Sequence, residues 1–192
     1  RKATSLTHTL SYTFGGTKGT IATGVGDSYQ WTVPDLAAKI SGSISGSCVI
    51  TCHTYSGGTL IGSKAVSIVL FIPAASEPTV SAGAVQMGTS VLISTNRKST
   101  AYTHEITYTI GSKTDVISSA VGSTIAWTPH KDLAAYTGNK KSATCTITCK
   151  TYNGSAEVGT RSVSIILNVP PATVLTLDKS SVAVGQTLRI ST

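Results

Sequence analysis

Residues 104–111, HEITYTIG, alternate along the chain: His104, Ile106, Tyr108 and Ile110 share one face, with Glu105, Thr107 and Thr109 on the other. A period of two is the mark of a half-buried strand. His8, Leu10, Tyr12 and Phe14 repeat the pattern. So do Val66, Ile68, Leu70 and Ile72 against Val163, Ile165, Leu167 and Val169, while Phe71 on the opposite face becomes Asn168. The inward positions are kept and the outward ones drift. TYSGGTLIG and TYNGSAEVG carry Gly and Asn-Gly, which accept the positive φ of tight hairpin turns. PDLAAK and KDLAAY are the only helix-like words, with Asp35 and Asp132 placed to cap one turn each. Without sustained apolar spacing of helical period, the pattern predicts an all-β protein.

The pattern also repeats on a larger scale. HTLSYTFG from His8 and HEITYTIG from His104 lie 104 − 8 = 96 residues apart, and Cys48 and Cys145 lie 145 − 48 = 97 apart. The extra residue falls between Trp127 and Leu133, in a stretch expected to be a loop. A third copy starts late, where VGQTLRIST from Val184 matches MGTSVLIST from Met87 at 184 − 87 = 97. The chain therefore divides into residues 1–75, a first repeat lacking its N-terminal strands; 76–171, a complete second repeat; and 172–192, the N-terminal strands of a third. About seven short strands in each repeat of just under a hundred residues predict tandem immunoglobulin-like β-sandwiches. Either the sequence is a two-period window on a longer repetitive chain, or a terminal strand completes the first unit of the next molecule; residues 173–192 are expected to form two strands that cover a unit like residues 1–73, in a neighbouring chain if not in the same one. Val184, Leu188 and Ile190 would be the strand-exchange contacts.

Cys48 and Cys52, like Cys145 and Cys149, alternate with polar residues and so face the core. Four residues of extended chain span about 13 Å, beyond the roughly 7 Å a disulfide tolerates and too far to share a zinc ion. They are expected to be buried free thiols, which favours assembly in a reducing compartment. Tyr12, Trp31, Tyr108 and Trp127 complete the predicted structural core; a sugar platform is the other reading of the two tryptophans. His8 and His104 occupy equivalent inward positions, whereas His53 and His130 do not recur as histidine. The eight carboxylates are scattered, and no nucleophile elbow, phosphate loop or calcium loop is present. No catalytic, cofactor or metal residues are therefore assigned, and an enzyme is not expected. The net charge of +7 would draw polyanions, anionic cell-wall glycopolymers among them. Aromatic residues are not interleaved with the basic ones, which argues against nucleic acid. No long apolar run predicts a membrane span or a signal peptide.

HEITYTIG, VGSTIAWTP, CTITCKTYNGSAEVGTRSVSIILNVP and LTLDKSSVAVGQTLRIST resemble the repeats of a minor structural protein family of siphoviruses and of prophages in Gram-positive bacteria. The resemblance spans essentially the whole chain. It implies a tail-associated virion protein built of tandem sandwiches, acting as a rigid spacer with host-surface contact. Neighbouring copies or other tail proteins would be its partners, and it carries over no catalytic residue. The alternative is a bacterial cell-surface adhesin or stalk built from similar repeats.

Overall fold

A computed structural model describes residue 3 and residues 5–191. Each hairpin forms where the alternating pattern meets a glycine turn. β1 (Leu6–Phe14) and β2 (Thr17–Val25) turn at Gly15 and Gly16, whose φ values of 53° and 73° are those a tight hairpin needs. β3 (Ser45–Ser56) and β4 (Thr59–Phe71) turn at Gly57 and Gly58. The four strands make one antiparallel sheet in the order β2-β1-β3-β4, with Tyr12 opposite Ile50 and Phe14 opposite Cys48.

The second unit builds the same sheet and closes it with another. β5 (Thr79–Val80), β6 (Ala84–Gln86) and β7 (Val91–Ser94) precede β8 (Tyr102–Ile110), β9 (Lys113–Val121) and β10 (Thr124–Trp127). β11 (Ser142–Asn153) and β12 (Ala156–Asn168) end the unit. One sheet runs β6-β12-β11-β8-β9 and the other β10-β7-β5. β6 pairs with β12 in parallel, so the stretch 79–86 starts in one sheet and crosses to the other. Met87, Val91, Ile93, Ile106, Ile110, Trp127, Cys145, Ile147, Cys149, Ile165 and Leu167 fill the space between the sheets. This is a two-sheet, immunoglobulin-like β-sandwich.

In the first unit Phe14, Leu36 and Cys48 form the buried cluster, with Tyr12, Trp31, Ile50 and Leu70 half-covered around it. Residues 28–31, the counterpart of β10, form no strand, because the strand that β10 pairs with, β7, has no counterpart there. β13 (Thr176–Leu177) and β14 (Ile190–Ser191) pair Thr176 with Ser191 and Leu177 with Ile190. That is the register of β5 on β7, Thr79 with Ser94 and Val80 with Ile93, moved on by 97. The expected two strands do form, but Val184 and Ile190 are exposed and Leu188 is half-buried, so they cover neither unit of their own chain.

The two helix-like words become 3-10 turns, Ala37–Ile40 and Lys131–Tyr136. Asp35 does accept the Ala37 amide. Asp132, expected as a cap, is itself in the first turn, and His130 Nδ1 accepts its amide at 3.3 Å. The extra residue in the second unit's loop shifts the cap position back to His130.

Candidate functional site

The polar residues that the sandwich pattern leaves unexplained gather at the junction between the two units. β11 delivers Asn153 to the start of its hairpin turn, where it is buried at 1% exposure. Its Nδ2 donates to the carbonyls of Ala37 at 3.1 Å, Ile40 at 3.3 Å and Ser43 at 3.0 Å, all in the first unit's 3-10 turn and the residues after it. The Asn153 carbonyl accepts the Gly42 amide at 2.8 Å. Gly154 lets the two backbones meet: a Cβ there would lie 2.2 Å from Ser41 Oγ and 3.0 Å from the Gly42 nitrogen. The side-chain oxygen of Asn153 has no partner among the described residues.

A second clamp points the other way. Asp35 of the first unit accepts the Ser99 hydroxyl at 2.8 and 3.0 Å and the Thr100 amide at 3.2 Å while capping Ala37. Burial alone would raise its carboxyl. The hydrogen bonds from Ser99, Ala37 and Thr100, with the charge of Arg97, outweigh that and hold it below the usual aspartate value. Tyr102 is fully buried and donates its hydroxyl to the Pro73 carbonyl. Burial, and then the negative charge of Asp35, push that hydroxyl up to about 12, so it stays a donor. Ser76, in the connecting segment, gives its amide to Thr151 Oγ1 at 3.1 Å and accepts the Lys98 amide at 3.3 Å. Asn153, Asp35 and Tyr102 make the hydrogen bonds that cross from one unit to the next. They gather no nucleophile with a base.

The residues singled out in the sequence lie elsewhere. Cys48, Cys145 and Cys149 are buried free thiols, and burial pushes the thiols of Cys145 and Cys149 up to about 11. Cys52 is only half-buried, 3.6 Å from His8 Nδ1, because its face has no covering sheet. Trp127 stacks on Tyr108 and Trp31 on Tyr12, each with ring centroids 5.2 Å apart. Trp127 is buried, whereas Trp31, Tyr12 and Tyr108 are half-buried at the edge of their cores. His104 is buried, with Nδ1 2.8 Å from the Val121 carbonyl and Nε2 unpaired among the described residues. Among the described residues no three His, Cys, Asp or Glu side chains gather to hold a metal ion. Among the described residues no helix is long and apolar enough to cross a membrane.

Sequence reasoning missed the junction. Its signal was a departure from the repeat: Ser99, Tyr102 and Asn153 stand where the first unit has Ala3, Leu6 and Ser56. The model of a family described as a siphovirus protein of unknown function (DUF859) matches residues 1–83 and 72–187. The chain belongs to that family. The two matched segments overlap over residues 72–83, around the join between the units. No curated protein matches it. Among solved structures, the FN1–FN3 domains of chicken CNTN1 align over 86% of this chain at 8% identity, with a TM-score of 0.36. EC21–23 of human CDH23 aligns over 98% at 11% identity, with a TM-score of 0.33. The chain spans 56% of the length of the first and 69% of the second.

Proposed function

We propose that this siphovirus protein is a non-enzymatic structural module of the phage tail, a stiff spacer whose loops contact the host surface. The junction carries the reading. A run of sandwiches joined by a bare linker would swing, since interfaces between domains are mobile unless they are extensive. Here the linker is short, Asn153, Asp35 and Tyr102 tie the units together from both sides, and Ser76 pins the connecting segment to the second unit. Membership of the siphovirus family supports a place in the virion. The excess of 15 basic over 8 acidic residues suits contact with the anionic polymers of a Gram-positive wall.

Gold-labelled antibodies against the chain, applied to intact siphovirus particles that encode it, test the proposal. Labelling along the tail or at its tip is the expected result. Labelling confined to the head, or none on particles whose proteins include the chain, would overturn it.

A further inference from the structure

The junction is built on an Asn-Gly pair. Of the asparagines in the chain only Asn153 precedes a glycine; Asn96, Asn139 and Asn168 precede Arg97, Lys140 and Val169. The fit of the two units demands both members of the pair. Residue 153 must carry a donor, because its side chain meets the carbonyls of Ala37, Ile40 and Ser43. Residue 154 must lack a Cβ, because one there would run into Ser41 and the Gly42 nitrogen, and because its φ is 62°. The first unit has Ser56 and Gly57 in these places, and so has no such pair.

Asparagine followed by glycine is also a reactive pair. Once solvent base has taken its proton, the Gly154 backbone nitrogen is a nucleophile placed to add to Asn153 Cγ, and no side chain on residue 154 crowds the approach. The new N–Cγ bond closes a five-membered imide ring, the Cγ–Nδ2 bond breaks, and the side-chain amide leaves with a proton as ammonia. Water then adds to one of the two ring carbonyls. Breaking the N–Cγ bond leaves an aspartate, whereas breaking the bond from nitrogen to the backbone carbonyl carbon leaves its β-linked isomer. One water is consumed and one ammonia released, with no redox partner.

The docked geometry holds this chemistry off. Nδ2, the leaving group, is tied to three acceptors, and the residue is buried, so turning Cγ toward the Gly154 nitrogen breaks those bonds. Oδ1 has no donor among the described residues, so the charge that gathers on it during the addition meets no stabilising group. The backbone is held as well, through the bond from the Gly42 amide to the Asn153 carbonyl. Opening of the junction lifts all three restraints together. The product then cannot dock again in the same way. A carboxylate has no N–H for the three carbonyls and sets negative oxygen against them, in a place where an unpaired charge is costly. The β-linked isomer adds a main-chain carbon beside Gly154, where the approach to Ser41 leaves no room for one.

We propose that the Asn153-Gly154 pair is a self-modification site, at which spontaneous deamidation is held off by docking of the two units and, once complete, releases the joint for good. The stiff joint then carries a one-way route to a hinge, and each opening of the junction is a chance to take it. The inference goes beyond the spacer reading: it rests on the junction alone and is tested on the purified chain without any virion.

The chain is incubated at neutral pH beside Asp35→Ala and Tyr102→Phe, which weaken the opposite clamp and leave residues 153 and 154 untouched, and beside the unaltered chain in urea. Peptide mapping by mass spectrometry follows amide-to-acid conversion at each asparagine. The expected conversion at Asn153 is slowest in the folded unaltered chain, roughly tenfold faster in at least one variant, as loss of a clamp contact allows, and fastest in urea. Asn96, Asn139 and Asn168 lag behind Asn153 in urea, and the Gly42 amide exchanges its hydrogen faster in converted than in unconverted chains. Equal rates at Asn153 in the folded chain and in urea, no gain in either variant, or no conversion even in urea would overturn the proposal. So would converted chains whose Gly42 amide exchanges as slowly as before.

Discussion

At the scale of single residues the account turns on Asn153. One side-chain amide serves three carbonyls of the neighbouring unit; removing it takes a donor from each, though the Ile40 carbonyl keeps the Ser43 amide. Asn153→Ala is expected to weaken the coupling of the units by about 1–3 kcal/mol, read as two separated unfolding transitions and as faster hydrogen exchange at the Gly42 amide. Asp35 makes the same junction sensitive to acid. Its carboxyl lies below the ordinary value when the units are docked and near about 3.9 when they are not. The undocked form therefore binds more protons between those values, and the contribution is full above the ordinary aspartate range and lost as pH falls through the lowered one. Asp35→Asn should flatten the pH dependence of the coupling below about pH 4, measured by the same exchange at Gly42. The thiols give a third check: Cys52 is expected to react with an alkylating reagent in the folded chain well before Cys48, Cys145 and Cys149, as mass spectrometry of timed samples would show. Alternation placed all four sulfurs on the inward face. The repeat showed that the first unit lacks the strands that cover this face; neither signal could show that Asn153 reaches out of its own unit, because that depends on what the other elements present.

At the scale of elements, hairpins were the most legible feature, since glycine turns and period-two patterning both point to the same strands. The 97-residue repeat placed two strands within residues 173–192, where β13 and β14 form; their register follows from the backbone pairing. The 3-10 turns were less legible: a one-residue insertion moved the cap from Asp132 to His130, and that choice depends on backbone geometry rather than residue type. The missing sheet has an energetic consequence. Trp127, the last residue of β10, is buried in the core between the two sheets and stacks on Tyr108, whereas its counterpart Trp31 lies half-buried on an irregular segment beside a single sheet. Trp127→Ala is expected to cost about 3–5 kcal/mol, and Trp31→Ala markedly less, both measured by chemical denaturation. Equal losses would mean that the first unit is as fully packed as the second.

At the scale of the whole molecule the claim is stiffness. Two units share a buried polar clamp, and the residues that build it belong to the second unit's near end: Ser99, Tyr102 and Asn153. The measurement that bears most directly on the stiff joint is the distance distribution between spin labels at exposed Ser67 and Ser112, attached by a chemistry that spares cysteine. A single narrow distribution that broadens in Asn153→Ala is the predicted result; a broad distribution in the unaltered chain, unchanged by that substitution, would contradict it.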